Sequence, residues 1–357
     1  MNKTIDTTAL ALNLGYILQG SIVGTGNLLM ALCVLRHAAL RSAKEYLTIM
    51  GLSLPDSLNQ FAYLAAGKLL SSYSLLESII YAYFINAVQL FLPFPIMTTR
   101  RIVILNDEQK SQRTPWECLL TPHCFLWSFS NHFANLMLVI VSLDRLLVVT
   151  MPLRYIGWPS TFSVALICSA FSLTGLMAVV GYVGAFETRF SVPSLSAICS
   201  PTAALLSSAD KVYAYYYQKG PPQLAWLSVL MYVGVWCQYK RHQAANIAGV
   251  DQNRQAELSR QRALTQMLAI SSACTFLFFI IPFNLGHFFY HQLGLHYAGL
   301  IFWMAANINP LCNIFIYQWR HPQMKQALEA MLKGKQMPHT VELWKKNRTQ
   351  AWTHQKK

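Results

Sequence analysis

The feature that most constrains this chain is a series of long stretches without any Asp, Glu, Lys or Arg. These stretches cover residues 7–35, 78–99, 118–143, 155–186, 220–239 and 263–319. About 20 apolar residues in a helix cross the hydrocarbon core of a bilayer, and the last stretch is long enough for two crossings. A further apolar run at 46–67 contains Asp56 as its one charged residue. The pattern predicts an all-α membrane protein that crosses the bilayer several times.

Composition and charge exclude the other broad classes. Charged residues make up 12% of the chain, about half of the roughly 25% found in soluble proteins. The net charge of +14 does not indicate a nucleic-acid binder, because most of the basic residues fall on one side of the predicted bundle. With the N-terminus outside, the cytoplasmic loops and tail receive that excess, as the positive-inside rule requires. We therefore expect a multi-pass membrane protein whose N-terminus lies on the outer side.

Seven of the apolar runs predict the helices of one bundle domain, at 9–320. We place the helices at about 9–35, 46–67, 118–143, 161–184, 220–239, 263–284 and 297–319. Residues 1–8 are then extracellular, and 321–357 form a cytoplasmic tail that begins with a short amphipathic helix. The sequon Asn2-Lys3-Thr4 is predicted to be an extracellular glycosylation site.

The eighth apolar run, 78–99, does not fit this topology. A crossing there would reverse the sidedness of every later segment and remove the basic asymmetry. The run contains Pro93 and Pro95 and is followed by Arg100-Arg101. It is an interfacial insertion, a segment packed outside the bundle, or sequence retained through an incorrect gene model. The last two interpretations are favoured, and the sequence does not separate them.

Several short motifs occur in one fixed order along the predicted helices. They are Gly26-Asn27, Asp56, Ser142-Leu143-Asp144-Arg145-Leu146, Pro152-Leu153-Arg154-Tyr155, Phe276 with Pro282, and Asn309-Pro310 followed by Asn313 and Tyr317. On these residues the chain resembles rhodopsin-like G-protein-coupled receptors over about 9–330. The sequence around Asp144, together with Cys199-Ser200-Pro201 in the second outer loop, looks most like that of nematode serpentine chemoreceptors of the Srsx type.

The resemblance implies a seven-transmembrane receptor that binds an extracellular ligand and activates a heterotrimeric G protein. The ligand is expected to be a small organic chemosensory cue or a neuropeptide, and no enzyme activity, cofactor or metal is implied. The matching positions fall into four sets. They are the coupling and activation switch Asp144, Arg145, Leu153 and Tyr317; the intramembrane polar network Asn27, Asp56, Asn309 and Asn313; the candidate ligand pocket Trp127, Asn131, Phe283, Asn284, His287 and Trp303; and the disulfide Cys118–Cys199, with Cys124 as the alternative partner.

The chain also departs from the family pattern. Ile280 stands where many relatives have a Trp switch, and Ile314 stands where the last helix usually has Pro. The base of the sixth helix has Arg260 and Arg262 instead of an acidic residue that restrains Arg145. Restraint of the resting state must therefore come from another part of the chain. A receptor for amines would need an acidic residue at Trp127, so an amine ligand is not expected.

The alternative class of function for a chain with this many apolar runs is a multi-pass transporter of small solutes. Transporters usually contain inverted repeats and broken helices in both halves of the chain, and no repeat is evident here. Gly24-Thr25-Gly26 lacks the third Gly and the preceding strand of a dinucleotide-binding loop. The ten His residues are dispersed and do not follow a metal-binding spacing. The receptor interpretation is favoured.

Overall fold

The structure is a computed structural model that describes residues 7–67, 112–190, 195–196, 204, 211–245, 270, 273–282, 284–285, 305 and 307–335. Several of the predicted features lie outside these residues. They are the run 78–99, Asn2, Cys199, Phe283, His287 and Trp303.

The described chain is almost entirely helical. Its α-helices are α1 (Thr7–Arg36), α2 (Ala38–Arg41), α3 (Lys44–Gly67), α4 (Pro115–Leu119), α5 (Pro122–Thr150), α6 (Pro152–Gly157), α7 (Thr161–Phe186), α8 (Lys211–Ala245), α9 (Ile308–Arg320) and α10 (Pro322–Leu332). A 3₁₀ turn at Glu187–Phe190 extends α7, and a π-helical turn occupies Phe276–Ile280. The strands β1 (Gln112–Arg113) and β2 (Leu195–Ser196) form a short antiparallel ladder.

Three segments of the described chain are long and apolar enough to cross a membrane. They are Ile17–Arg36, His123–Thr150 and Thr161–Phe190. The last carries many exposed large apolar side chains, including Val183 and Leu176. Apolar side chains remain exposed on helices that face lipid, because burial is not needed to remove them from water.

Helix α3 combines a proline, a glycine and an acidic residue near its middle. Pro55 has no backbone N–H, so the carbonyl of Gly51 lacks its helical donor. A Cβ added at Gly51 would lie 2.6 Å from the Met137 Cε of α5 and 3.0 Å from the Ile167 Cγ1 of α7. Gly51 therefore allows three helices to approach more closely than any other residue would.

The start of the third predicted span differs from the sequence-based expectation. The expected helix began at residue 118, whereas the structure has a separate helix α4 before α5. Thr114 caps α4 through a reciprocal pair, in which its hydroxyl accepts from the Glu117 N–H and the Glu117 carboxylate accepts from the Thr114 N–H. Pro122 then starts α5, since proline fits the first turn of a helix but cannot continue the preceding one. Cys118 consequently lies in α4.

The predicted fifth span also begins earlier in the structure. Helix α8 starts at Lys211, whereas the charge-free run starts at residue 220. Helix formation outside the hydrocarbon core does not require apolar side chains, so the helix extends beyond the run.

Two compact units make up the chain. The first comprises Met1–Gly24, Leu58–His132 and Leu173–Pro221, and the second comprises Thr25–Ser57, Phe133–Ser172 and Pro222–Lys357. In the first unit, Trp116, Trp127, Tyr182 and Leu195 pack against the buried residues Cys118, Leu119, Cys124, Ala185 and Ala204. In the second unit, α10 buries Met324, Ala327 and Ala330 on one face and ends before Gly334, whose φ is 63°.

Candidate functional site

A buried ion pair lies near the end of α5. The Arg145 Nη2 donates to Asp144 Oδ2 at 2.6 Å, and the two side chains are only 3% and 2% exposed. Burial of two charges costs free energy unless each is paired and hydrogen-bonded. The second carboxylate oxygen of Asp144 therefore needs a donor as well.

Tyr155 of α6 supplies that donor. Its hydroxyl donates to Asp144 Oδ1 at 2.6 Å, so each carboxylate oxygen accepts one hydrogen bond. Burial raises the pKa of Tyr155 above its ordinary value, and the negative charge of Asp144 raises it further. The phenol therefore keeps its proton and remains a donor.

Lys44, the first residue of α3, holds Tyr155 in this position. Its Nζ donates to the Tyr155 carbonyl oxygen at 2.7 Å and lies 4.2 Å from the centre of the Tyr155 ring. The ammonium thus makes both a hydrogen bond and a cation–π contact with one residue. We call Lys44, Asp144, Arg145 and Tyr155 the Asp144 cluster.

The guanidinium of Arg145 retains donor capacity within this cluster. Its Nε is buried and has no hydrogen-bond partner in the described part of the chain. Tyr232 of α8 is close enough to interact with it electrostatically. One turn earlier, Ser142 of α5 and Ser228 of α8 share a hydrogen bond of 2.7 Å, which ties the two helices together beside Arg145.

The predicted polar network is partly assembled in the second unit. Asp56 is hydrogen-bonded to Asn313 of α9, while Asn309 accepts a hydrogen bond of 3.2 Å from the Thr275 hydroxyl. Asn27 is completely buried. The two side-chain pairs satisfy polar groups that would otherwise be costly to bury in helices.

Tyr317 is fully buried in α9, and the helix that follows contacts the region around α2. The Tyr46 hydroxyl hydrogen-bonds to Gln323 Oε1, and the Tyr46 ring lies edge-on to His321, with 5.3 Å between ring centres. The His37 imidazole hydrogen-bonds to the Ala327 backbone. Desolvation and the charge of Arg36 lower the pKa of His37 below 6.5, against the opposing effect of that hydrogen bond.

The candidate ligand pocket is described only in part. Trp127 packs against the buried cluster around Cys118, and Asn131 is half-buried. Asn284 is exposed, and its amide donates to the Ile280 carbonyl oxygen at 2.7 Å. Since the other three predicted members lie beyond the described residues, the pocket stays a prediction.

The cysteines at the start of the third span are in different states. Cys118 is disulfide-bonded, whereas Cys124 is not and its Sγ lies 3.2 Å from the His123 Nε2. Cys199 falls outside the part of the chain that is described, so its pairing with Cys118 stays a proposal. Leu153 lies in α6. Among the described residues, no group of three or more His, Cys, Asp and Glu side chains could hold a metal ion.

Three residues of these networks were not predicted from the sequence to have a role. Tyr155 was noted as part of a motif, while Lys44 and Thr275 were not singled out. The sequence contains one signal for them: no acidic residue stands at the base of the sixth helix to pair with Arg145. The resting position of Arg145 therefore requires a restraint from other residues. The sequence does not reveal that α6 turns Tyr155 back onto Asp144, eleven residues earlier.

Comparison with known families adds an independent finding. The model of the family described as serpentine type 7TM GPCR chemoreceptor Srsx matches residues 96–332, which is about two thirds of the chain. The matched range contains the Asp144 cluster apart from Lys44, together with both helices that follow Asn307. No curated protein matches the chain.

Proposed function

Because the chain belongs to the Srsx family of serpentine seven-transmembrane chemoreceptors, we propose that it converts the binding of an extracellular ligand into activation of a heterotrimeric G protein. The family is one of multi-pass plasma-membrane receptors and is not a family of enzymes. The observation that carries the proposal is the buried Asp144 cluster, which holds an arginine at the end of a membrane-spanning helix.

The proposed mechanism is a shift between two arrangements of Arg145. In the resting arrangement Asp144 holds the arginine, and Tyr155 donates to the other carboxylate oxygen of Asp144. An agonist that binds the other arrangement more tightly shifts the population toward it. Arg145 then leaves Asp144 and donates to backbone carbonyls of the G-protein tail, while Leu153 offers an apolar contact in the second inner loop and Tyr317 repacks within α9.

The proposed ligand is a small organic chemosensory cue or a neuropeptide. Trp127 and Asn131 lie on the outer part of α5 by this topology, and an aromatic and an amide suit a neutral ligand. The absence of a carboxylate at Trp127 argues against an ammonium ligand, since a buried cation requires a counter-ion. The proposed Cys118–Cys199 disulfide would attach the second outer loop next to this pocket.

The proposed topology places the N-terminus outside and α10 inside. Epitope tags before residue 9 and after Lys357 test it by antibody staining with and without permeabilisation. The expected result is staining of the first tag in intact cells and of the second only after permeabilisation. Staining of both tags on the same side would refute seven crossings.

The signalling proposal is tested by a ligand screen in cells that report second messengers. Arg145→Ala is expected to retain ligand binding and surface expression but to lose the response. The matched control is Arg154→Ala. Arg154 is an exposed arginine at the same end of the bundle, so this substitution removes the same charge from α6. A full response in Arg145→Ala, or an equal loss in both variants, would contradict the proposed role of Arg145. Solute uptake by the purified protein in liposomes would instead support the transporter.

A further inference from the structure

A second site, unrelated to the Asp144 cluster, lies on the first compact unit. It is a groove of about 460 Å³ between α7 and the α4–α5 segment. Its walls include Trp116, Phe125, Phe129, Gly175, Tyr182 and Phe186. We call it the α7 groove.

The α7 groove is apolar and lined by aromatic rings that contact one another. The Phe125 ring stacks on Phe129 with 6.0 Å between ring centres, and Trp116 meets Phe186 edge-on at 5.1 Å. The Tyr182 hydroxyl belongs to a lining residue and already donates to the Leu119 carbonyl oxygen at 2.7 Å. The groove therefore offers aromatic and aliphatic walls to an occupant.

The helix that forms one wall faces the bilayer. The segment Thr161–Phe190 is apolar enough to cross a membrane, yet only 17% of its most apolar 18-residue stretch is buried in the protein. Val179 and Val183, which line the groove, are 58% and 65% exposed. An apolar surface of this kind is stable against hydrocarbon and not against water. The medium that fills the groove is therefore lipid.

A cation stands at one end of the groove. The guanidinium of Arg189 lies 3.9 Å from the centre of the Phe186 ring and 4.4 Å from that of Phe190. Arg189 is exposed, and within the described residues it forms no ion pair with the nearby Glu187. Arginine and aromatic residues at a helix end mark the level of the lipid headgroups, and arginine binds phosphate through paired N–H donors.

We propose that the α7 groove binds a bilayer phospholipid, with an acyl chain between the aromatic walls and the phosphate at Arg189. The apolar groove and the cation at its end match the two halves of such a lipid. A sterol fits less well, because it has no anionic group for Arg189.

Gly175 provides a precise way to fill the groove. A Cβ added there meets no atom within 4 Å, so a larger side chain enters open space without displacing its neighbours. Gly175→Phe should therefore occupy the groove while the helix packs as before. Gly175→Leu is a smaller filling variant for use if the Phe variant folds poorly. Leu176→Phe is the matched control, because Leu176 is 60% exposed on the same helix and does not line the groove.

The test uses the purified full-length protein in phosphatidylcholine nanodiscs that contain a phosphatidylcholine with a photoreactive acyl chain. After irradiation, peptide mass spectrometry should find adducts concentrated on Phe125, Phe129 and the segment 175–186. Gly175→Phe or Gly175→Leu should lower these adducts several-fold, and Leu176→Phe should leave them unchanged. Adducts spread evenly over α7, or unaffected by the filling variants, would overturn the proposal.

The headgroup contact is tested separately by lipid retention in detergent, measured by native mass spectrometry. Arg189→Gln should lose the retained phospholipid several-fold, and Arg189→Lys should keep most of it because the charge is preserved. Equal retention in the parent and in Arg189→Gln would overturn the assignment of the phosphate. Stronger labelling of the groove by a photoreactive sterol, or by a soluble apolar probe, would overturn the choice of a phospholipid.

Discussion

Removal of one hydroxyl group tests the proposed restraint of the resting receptor. Tyr155→Phe deletes the donor to Asp144 Oδ1 but retains the aromatic ring that Lys44 contacts. The ion pair with Arg145 also remains. The substitution therefore isolates one hydrogen bond of the Asp144 cluster.

The expected effect follows from the geometry of that bond. At 2.6 Å, to a carboxylate that is 2% exposed, it belongs to the charge-assisted class, which contributes about 1.5–3 kcal/mol. If the bond exists only in the resting arrangement, its loss shifts the equilibrium toward the active one by roughly 10- to 150-fold. A receptor that is about 1% active without ligand would become roughly 10–60% active.

The assay is ligand-independent second-messenger production, normalised to the amount of receptor at the cell surface. The matched control is Tyr182→Phe, which removes a phenol hydroxyl that donates to the neutral Leu119 carbonyl at 2.7 Å. That variant loses about 0.5–1.5 kcal/mol of stability and should keep the basal signal of the parent. Equal basal signalling in Tyr155→Phe and the parent would refute the reasoning, and so would an equal rise in both variants.

Three further predictions concern stability and are measured by thermal unfolding of the purified protein. Gly51→Ala should destabilise it by about 1–3 kcal/mol through overpacking, whereas Gly175→Ala, with open space around its Cβ, should not; equal effects would contradict the close helix contact. Acidification from about pH 7.5 to about 5 should lower the melting temperature, because the unfolded state binds more protons where the folded-state pKa of His37 lies below 6.5. The stabilisation that neutral His37 contributes is complete above pH 6.5 and is lost as the pH falls through the lowered pKa. His37→Gln should therefore flatten the dependence of the melting temperature on pH. An unchanged dependence in this variant would contradict the prediction. Cys118→Ser should cost about 2–4 kcal/mol, and Cys124→Ser, which breaks no disulfide, should cost much less; the reverse order would show that the disulfide was assigned to the wrong cysteine.

The fold class and the family could be predicted from the sequence, and the family match confirms both. Charge-free runs are a strong signal because every helix in a bilayer must satisfy the same requirement of length and polarity. The family could be predicted because several short motifs occur in order, and because the residues within each motif, such as those around Asp144 and Cys199-Ser200-Pro201, are adjacent in the chain. The match begins at residue 96, so the resemblance noted at Asn27 and Asp56 falls outside the matched range.

Away from the polar network, where Asp56 and Asn313 were grouped because both are polar residues inside predicted spans, the site could be predicted only where partners are neighbours in sequence. Asp144 and Arg145 were identified together, but the contacts of Tyr155 with Asp144 and Lys44 depend on the turn of α6 and on how α3 packs beside it. The helix break before α5 does not follow from the charge-free run, because the residues that produce it are the cap Thr114, which precedes the run, and Pro122, which lies within it. The α7 groove arises from side-chain shapes on separate helices, which no periodicity encodes.

The pairing of Asp56 with Asn313 also has a consequence for membrane assembly. A mid-helix Asp raises the cost of inserting α3 by about 2.5–3.5 kcal/mol, and its hydrogen-bond partner is synthesised about 250 residues later. At about 5–20 residues per second, the nascent helix waits roughly 10–50 s for that partner. During this interval we expect α3 to remain at the translocon or with a chaperone, so nascent chains stopped before α9 should cross-link to such factors more strongly than complete chains. Biogenesis of this receptor would then be limited by the arrival of its last transmembrane helix.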